Sequence, residues 1–420
     1  MNASLLPLAY LLPLGLLLVA WGSLPGARLR ESTPAALVIA VASAVAYVGF
    51  GFALQFGGVG LSASAPAGLR GLDQAWSPFA AGAGRWAFAG LEGFFASAQG
   101  APGSLALVET LALHRLPLAI AAGLIPVAAL GDDVNRAARI ASGIVATTVV
   151  FPIAGAWVWG GGWLAALGLN LNLGHGAIDV GGSSIAFGSA ACIALVALRL
   201  FGSRNDQPNK AAALPTLRQP LLTIAGAILF GIGWATWAAS DPLLSDYARL
   251  DAAGNALIGL ISALASALVA GAYTWFATGR VHALTMVRGW LAGWIAVSAS
   301  AWFIPPGSAI AVGAVAGSLS IVTQYAVEFR WRLDDHAGMV ATCGAAGAWG
   351  ALALSVFADG AFGAGWNGVA AGVRGALSSD PGQLTAQAFA LAALAALVAC
   401  VAALLLVPLS LLLRRRKRNQ

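Results

Sequence analysis

From Thr385 to Leu412 the chain runs without one charged residue. A bilayer core offers backbone N–H and C=O groups no partner, so a crossing segment must satisfy them within itself or within a closed barrel. About 20 consecutive apolar residues cross the hydrocarbon as a helix, and this run is longer. A barrel strand would alternate apolar and polar residues, and "FALAALAALVACVAALLLVPLSLLL" (389–413) does not. The pattern recurs along the chain, at 5–24, 34–57, 104–130, 137–158, 180–201, 219–239, 253–278, 284–303, 307–328, 338–358 and 385–412. Charged residues make up only 9% of the 420, against about 25% in a soluble protein. The sequence therefore predicts an all-α polytopic membrane protein with about eleven transmembrane helices.

The net charge of +6 follows that topology and marks no nucleic-acid surface. With eleven spans the termini fall on opposite sides. Segments on the C-terminal side hold Arg28, Arg30, Arg136, Arg139, Arg199, Arg204, Lys210, Arg218, Arg280, Arg288, Arg330, Arg332 and the tail "RRRKR", 17 of the 22 basic residues. The other side holds Arg70, Arg85, Arg249 and Arg374, and Arg115 falls inside a span. Basic residues collect on the cytoplasmic side, so the C-terminus is expected in the cytoplasm and the N-terminus outside a cell membrane. No basic residue precedes the first span, so a cleaved leader has little support. Cys192, Cys343 and Cys400 are scattered through apolar spans, which argues against a disulfide framework.

Two stretches organise the rest. Residues 59–103, rich in Gly, Ala and Ser with Trp76, Trp86 and "GFF" at 93–95, read as an interfacial excursion. The loop 203–220 divides the chain into similar halves. In the first half Asp179 precedes "GGSSIAFGSAACIAL", and Phe187 lies eight residues after the acid. In the second, Asp335 precedes "GMVATCGAAGAWGAL", and Cys343 lies eight residues after its acid. These are the fifth and tenth spans, entered from opposite sides, as an inverted repeat requires. Gly188, Ala190 and Ala191 in one, and Gly344 to Gly347 in the other, let helix backbones approach closely. One domain over 1–412 is expected, with halves at about 1–202 and 219–360, a final helix 385–412 and a short basic tail 413–420.

Six stretches, in this order, carry a family resemblance: "YVGFGFALQFGG" (47–58), "VWGGGWLAALG" (158–168), "DVGGSS" (179–184), "GIGWATWAA" (231–239), Asn255 and "RWRLDDHAG" (330–338). Together they resemble the Amt/Rh ammonium transporter family. That resemblance implies an inverted 5+5 fold plus a final helix, a homotrimer with one pore per subunit, and ammonium or ammonia as substrate. It implies an outer aromatic vestibule containing Trp159 and Trp237, with Asp241 about where the family has a small hydroxyl residue. It makes Trp234, Phe187 and Cys343 pore-lining, the last two at positions where the family has facing histidines. The family's later acid at the start of helix ten is Gly338 here. In the family the acid at Asp179 orders the vestibule, and an N-terminal acid suits a helix start in any case.

An aromatic face attracts a small cation, for roughly 0.5–2 kcal/mol; a carboxylate at 241 either raises the local cation concentration or is a plain loop acid. Phe187 makes no hydrogen bonds and Cys343 only weak ones, so the lumen between them should be dry and apolar. Glu109, His114 and Arg115 fall in or near the third span, as an intramembrane site or at the interface. His175 and His336 read as solvated loop residues, and Arg288 as a side chain snorkelling to the interface. No phosphate loop, metal-spaced His/Cys cluster or nucleophile elbow is present, so neither an enzyme nor a cofactor is expected. The tail of about eight residues is too short for a signalling domain, or for contact with a PII-type regulator. Two functions remain: an ammonium/ammonia channel or transporter, or a divergent member that conducts another small neutral solute or serves as a non-conducting sensor or partner subunit.

Overall fold

The computed structural model describes residues 3–62, 64–79, 86–98, 103–131, 134–202, 217–244, 252–335 and 337–418. Among them ten helices are long and apolar enough to cross a membrane. In chain order they are α1 (Ser4–Trp21), α2 (Gly26–Leu61), α3 (Ser104–Ala129), α4 (Arg136–Val158), α5 (Ser183–Phe201), α6 (Pro220–Ala239), α7 (Ala252–Thr278), then α9 (Pro306–Arg330), α10 (Val340–Phe357) and α11 (Pro381–Arg415). Between α7 and α9 lies α8 (Ala283–Val297), apolar but only 15 residues long, or about 22 Å at 1.5 Å per residue. The expected all-α polytopic architecture is present.

Boundaries depart from expectation where side chains or backbone have other work. The span expected at 284–303 stops being helical at Val297, and a series of turns carries the buried Trp302 and Phe303. Just beyond that end the Ser298 carbonyl accepts from Gly181 N–H at 2.8 Å, and its hydroxyl accepts from Trp234 Nε1–H and donates to the Trp294 carbonyl. The second helix begins at Gly26, so Arg28 and Arg30 belong to it and not to a loop. The last helix continues to Arg418, and the basic residues expected as a tail from 413 lie on its final turns. His336, Arg85, Arg204, Lys210, Arg249 and most of the loop 203–220 lie outside the described residues.

The most buried helix is α3, packed among α1, α2, α4 and α5. Outward faces are apolar: Leu257, Leu260, Leu264, Leu268 and Phe276 line the exposed side of α7, a surface suited to hydrocarbon. The excursion after α2 forms a two-residue antiparallel pair, Ala75–Trp76 with Ala89–Gly90. It is pinned to the end of α4, where Trp157 Nε1–H donates to the Phe88 carbonyl at 3.0 Å. Both α5 and α10 open with a π-helical turn, Ser183–Gly188 and Val340–Gly344, a geometry often found at functional sites. Their small residues allow backbone contact: a Cβ placed on Gly347 would lie 2.8 Å from the Gly188 Cα and 2.5 Å from the Ser183 carbonyl oxygen.

Candidate functional site

A carboxylate at a helix start can accept from several backbone donors that have no intrahelical partner. Asp179 does so fully. Its Oδ1 accepts from Ser183 N–H at 2.7 Å, and its Oδ2 from Ser184 N–H at 2.7 Å, Ile185 N–H at 3.0 Å and the Ser184 hydroxyl at 2.7 Å. Asp335 repeats the arrangement at the same offsets: Oδ1 with Met339 N–H at 3.0 Å, Oδ2 with Val340 N–H at 2.8 Å and Ala341 N–H at 3.3 Å. Each acid is followed three residues on by a glycine at positive φ, Gly182 at 73° and Gly338 at 68°. An L side chain rarely adopts that backbone, so glycine lets the chain turn from the acid into its helix without strain.

At the Asp179 end the tryptophans gather around a cation that the chain itself supplies. Arg115, buried in α3, places its Cζ 4.7 Å from the Trp159 ring centroid and 5.3 Å from that of Trp237. Its Nη2 pairs with Asp241 Oδ2 at 3.1 Å and its Nη1–H donates to the Val180 carbonyl at 3.3 Å. Both indoles are held. Trp159 Nε1–H donates to the Asp179 carbonyl at 2.6 Å. Trp237 Nε1–H donates to the His114 carbonyl, and His114 Nε2–H to the Trp237 carbonyl, each at 2.8 Å. His114 and Arg115 are thus both buried within α3, while Glu109 is exposed near its start. A cavity of about 70 Å³ reaches this group, lined by Ser62, Ser64, Arg115, Trp159 and Asn367 among others.

Asp241 needs correcting. It was expected as a carboxylate free to concentrate cations, but its side chain has no exposed surface and Arg115 already balances its charge. Two further expectations fail on burial. His175 is buried, donating Nε2–H to the Ala371 carbonyl at 2.8 Å, so it is not a solvated loop residue. Arg288 is buried beside Gly338 and does not snorkel outward; a Cβ on Gly338 would stand 2.5 Å from its Cζ.

Phe187 and Cys343 are both fully buried in the opening π turns of α5 and α10, with the Phe187 ring 6.2 Å from that of Phe230. Trp234 is buried too, its Nε1–H donating to Ser298 Oγ at 2.7 Å and its ring lying 4.9 Å from that of Trp294. None of these three lines the cavity beside Arg115.

The sequence model of the Ammonium Transporter Family matches residues 14–420. The chain belongs to that family. It is 32% identical to ammonium transporter Amt2 of Archaeoglobus fulgidus over 225 residues, 52% of this chain and 47% of that protein. It is 26% identical to an ammonium transporter of Aquifex aeolicus over 360 residues, 79% of this chain and 78% of that one. The chain spans about half the length of the first curated relatives it matches. Among solved structures, a sensor Amt protein superposes with a TM-score of 0.78 at 21% identity, covering 99% of this chain and 92% of that one. Mep2 of Saccharomyces cerevisiae does so with a TM-score of 0.74 at 18% identity, covering 97% and 83%. The shared fold is a multi-pass membrane fold.

Gly338, where the resemblance led one to expect an acid, has positive φ and abuts Arg288. One group escaped the sequence reading altogether. Gln383 and Gln387, one turn apart on α11, clamp the segment before Asp179. Gln383 accepts from His175 N–H at 2.8 Å and donates to the Gly176 carbonyl at 2.8 Å; Gln387 accepts from Ile178 N–H at 3.1 Å and donates to the Ile178 carbonyl. The available signal was two amides four residues apart in an otherwise apolar helix, where each polar group is costly unless it is paired.

Proposed function

We propose that the chain is a transmembrane conduit for ammonium-derived nitrogen and that the neutral form, ammonia, crosses. The family match over residues 14–420 carries the substrate class, together with the printed names of the relatives as ammonium transporters. The neutral mode rests on Phe187 and Cys343, fully buried at the positions eight residues beyond the two capping acids. A bare cation placed among such side chains would lose its hydration without gaining partners, at a cost of many kcal/mol. In this reading Phe187, Cys343 and Trp234 line or back the path, Trp159 and Trp237 wall its outer end, and Asp179 orders that end. Asp241 serves as the partner of Arg115.

The same proposal covers the finer arrangement. The halves 1–202 and 219–360 form an inverted repeat, supported by the matching caps at Asp179 and Asp335, with α11 outside it. The protein resides in the plasma membrane as a homotrimer with its N-terminus outside and its basic C-terminal end in the cytoplasm, without a PII-type partner. A label on the basic end that reacts from outside intact cells would overturn that orientation.

The test of transport uses proteoliposomes. An internal pH dye should report faster alkalinisation on an ammonia gradient than empty liposomes give, while a solid-supported membrane records no ammonium-dependent current. Phe187→His combined with Cys343→His should introduce current, because paired imidazoles can both donate and accept protons. Flux equal to that of empty liposomes would overturn transport. A saturable current in the unmodified protein would overturn the neutral mode.

A further inference from the structure

Two indole faces, a carbonyl and a carboxylate converging on one point make a site for a small organic cation. The rings attract positive charge, and the oxygens accept its N–H donors. Here that point is filled. The Arg115 guanidinium lies within 6 Å of both Trp159 and Trp237, bonded to Asp241 and Val180, and its side chain is 3% exposed. Its removal alone would leave the buried Asp241 carboxylate without its partner, yet a charged pair is not the only way to fill that space. A buried ion pair adds little to stability compared with an apolar replacement, and ionisable groups at membrane depth are costly unless they have a function. Both rings are also locked by their own hydrogen bonds to the Asp179 and His114 carbonyls, so the cage keeps its shape independently of the guanidinium. The cavity next to Arg115 is lined by its side chain and by Trp159.

We propose that Arg115 is a specificity-determining residue: its guanidinium is a tethered cation that permanently occupies the cation site between Trp159 and Trp237, so the conduit turns ammonium away and admits only the neutral base. This rests on the transport reading above, but it makes a separate claim about binding. A free ion must compete with a group that is covalently held at the site, so it finds no vacancy at any ordinary concentration.

The experiment vacates the site. Full-length Arg115→Ala, purified and monodisperse, is titrated with low-millimolar guanidinium and with methylammonium while tryptophan emission and melting temperature are followed. R115A should respond saturably to both ions and bind them about tenfold or more tightly than the unmodified protein. Adding Trp159→Leu should abolish the response. Recovery of R115A only when guanidinium is present throughout purification would be the same binding read through folding, and would support the proposal. R115A with Asp241→Asn, which leaves no unpaired carboxylate, should fold without added ion and keep a weaker response that Trp159→Leu removes. Two results overturn the proposal: an unmodified protein that responds as strongly as the variants, or a monodisperse R115A/D241N that responds to neither ion. None of these readouts depends on flux, so failure of ammonia transport in liposomes leaves the binding result to be judged separately.

Discussion

At Asp179 and at Asp335 a carboxylate accepts from backbone N–H groups four, five and six residues on, across a glycine of positive φ. What leans on the two turns is different. A Cβ on Gly182 would meet the Trp159 ring at 3.2 Å, whereas one on Gly338 would meet the Arg288 guanidinium. Beside each turn lies a buried arginine, Arg115 on α3 and Arg288 on α8. At the Asp179 end the arginine is held between two indoles. The caps build two equivalent helix starts, and the side chains packed on them make one end an aromatic cage and the other a charged plug.

The largest test of this comparison removes the caps. Asp179→Ala leaves three buried N–H groups and a hydroxyl without their acceptor, and Asp335→Ala leaves three N–H groups. At about 1–3 kcal/mol for each unsatisfied donor, less what local rearrangement and water recover, each variant should lose about 3 kcal/mol or more. Both should show sharply lower yield and melting temperature. A wild-type melting temperature in either would mean that the matching offsets carry no energetic weight.

A smaller effect separates the two turns. Gly182→Ala and Gly338→Ala both force a side chain into positive φ, a strain of roughly 1–3 kcal/mol. The alanine at 338 must also displace Arg288, so G338A should melt below G182A. The reverse order would mean that the guanidinium yields more easily than the indole.

The smallest effect concerns His175, beside the Asp179 turn. Burial holds its imidazole below the ordinary histidine value, partly offset by the Ala371 carbonyl and Asp380. The folded protein thus prefers the neutral ring. The stability this confers is complete above about pH 6.5, the ordinary value, and falls as the pH drops below it. His175→Gln should flatten melting temperature against pH in that acid range. An unchanged profile would assign the acid sensitivity elsewhere.

Much of the scaffold was legible because a bilayer imposes it. Uninterrupted apolar runs, paired acids eight residues before Phe187 and Cys343, and small residues at the α5–α10 contact are all local patterns. The misreadings share a cause. His175, Arg288 and Asp241 were judged by their neighbours in sequence, yet their environments come from distant segments: Ala371 for the histidine, the 338 turn for Arg288, and α3 for Asp241. Arg115 shows the same limit. "LALHRL" cannot reveal that the guanidinium will lie between a tryptophan just after α4 and one from α6, because cation–aromatic contact leaves no spacing in sequence. The early end of α8 was hidden likewise, since Ser298 serves a glycine more than a hundred residues away.

The glutamine clamp on α11 bears on the order of synthesis. The segment 175–178 leaves the ribosome long before Gln383 and Gln387 exist, and until they arrive its amides at His175 and Ile178 and the carbonyls at Gly176 and Ile178 lack these partners. The turn that leads into α5 is therefore completed by a helix more than two hundred residues further along the chain. A nascent chain stalled before residue 383 would carry helices α1 to α10 with that turn unfinished, so closing the Asp179 end becomes a late event in assembly.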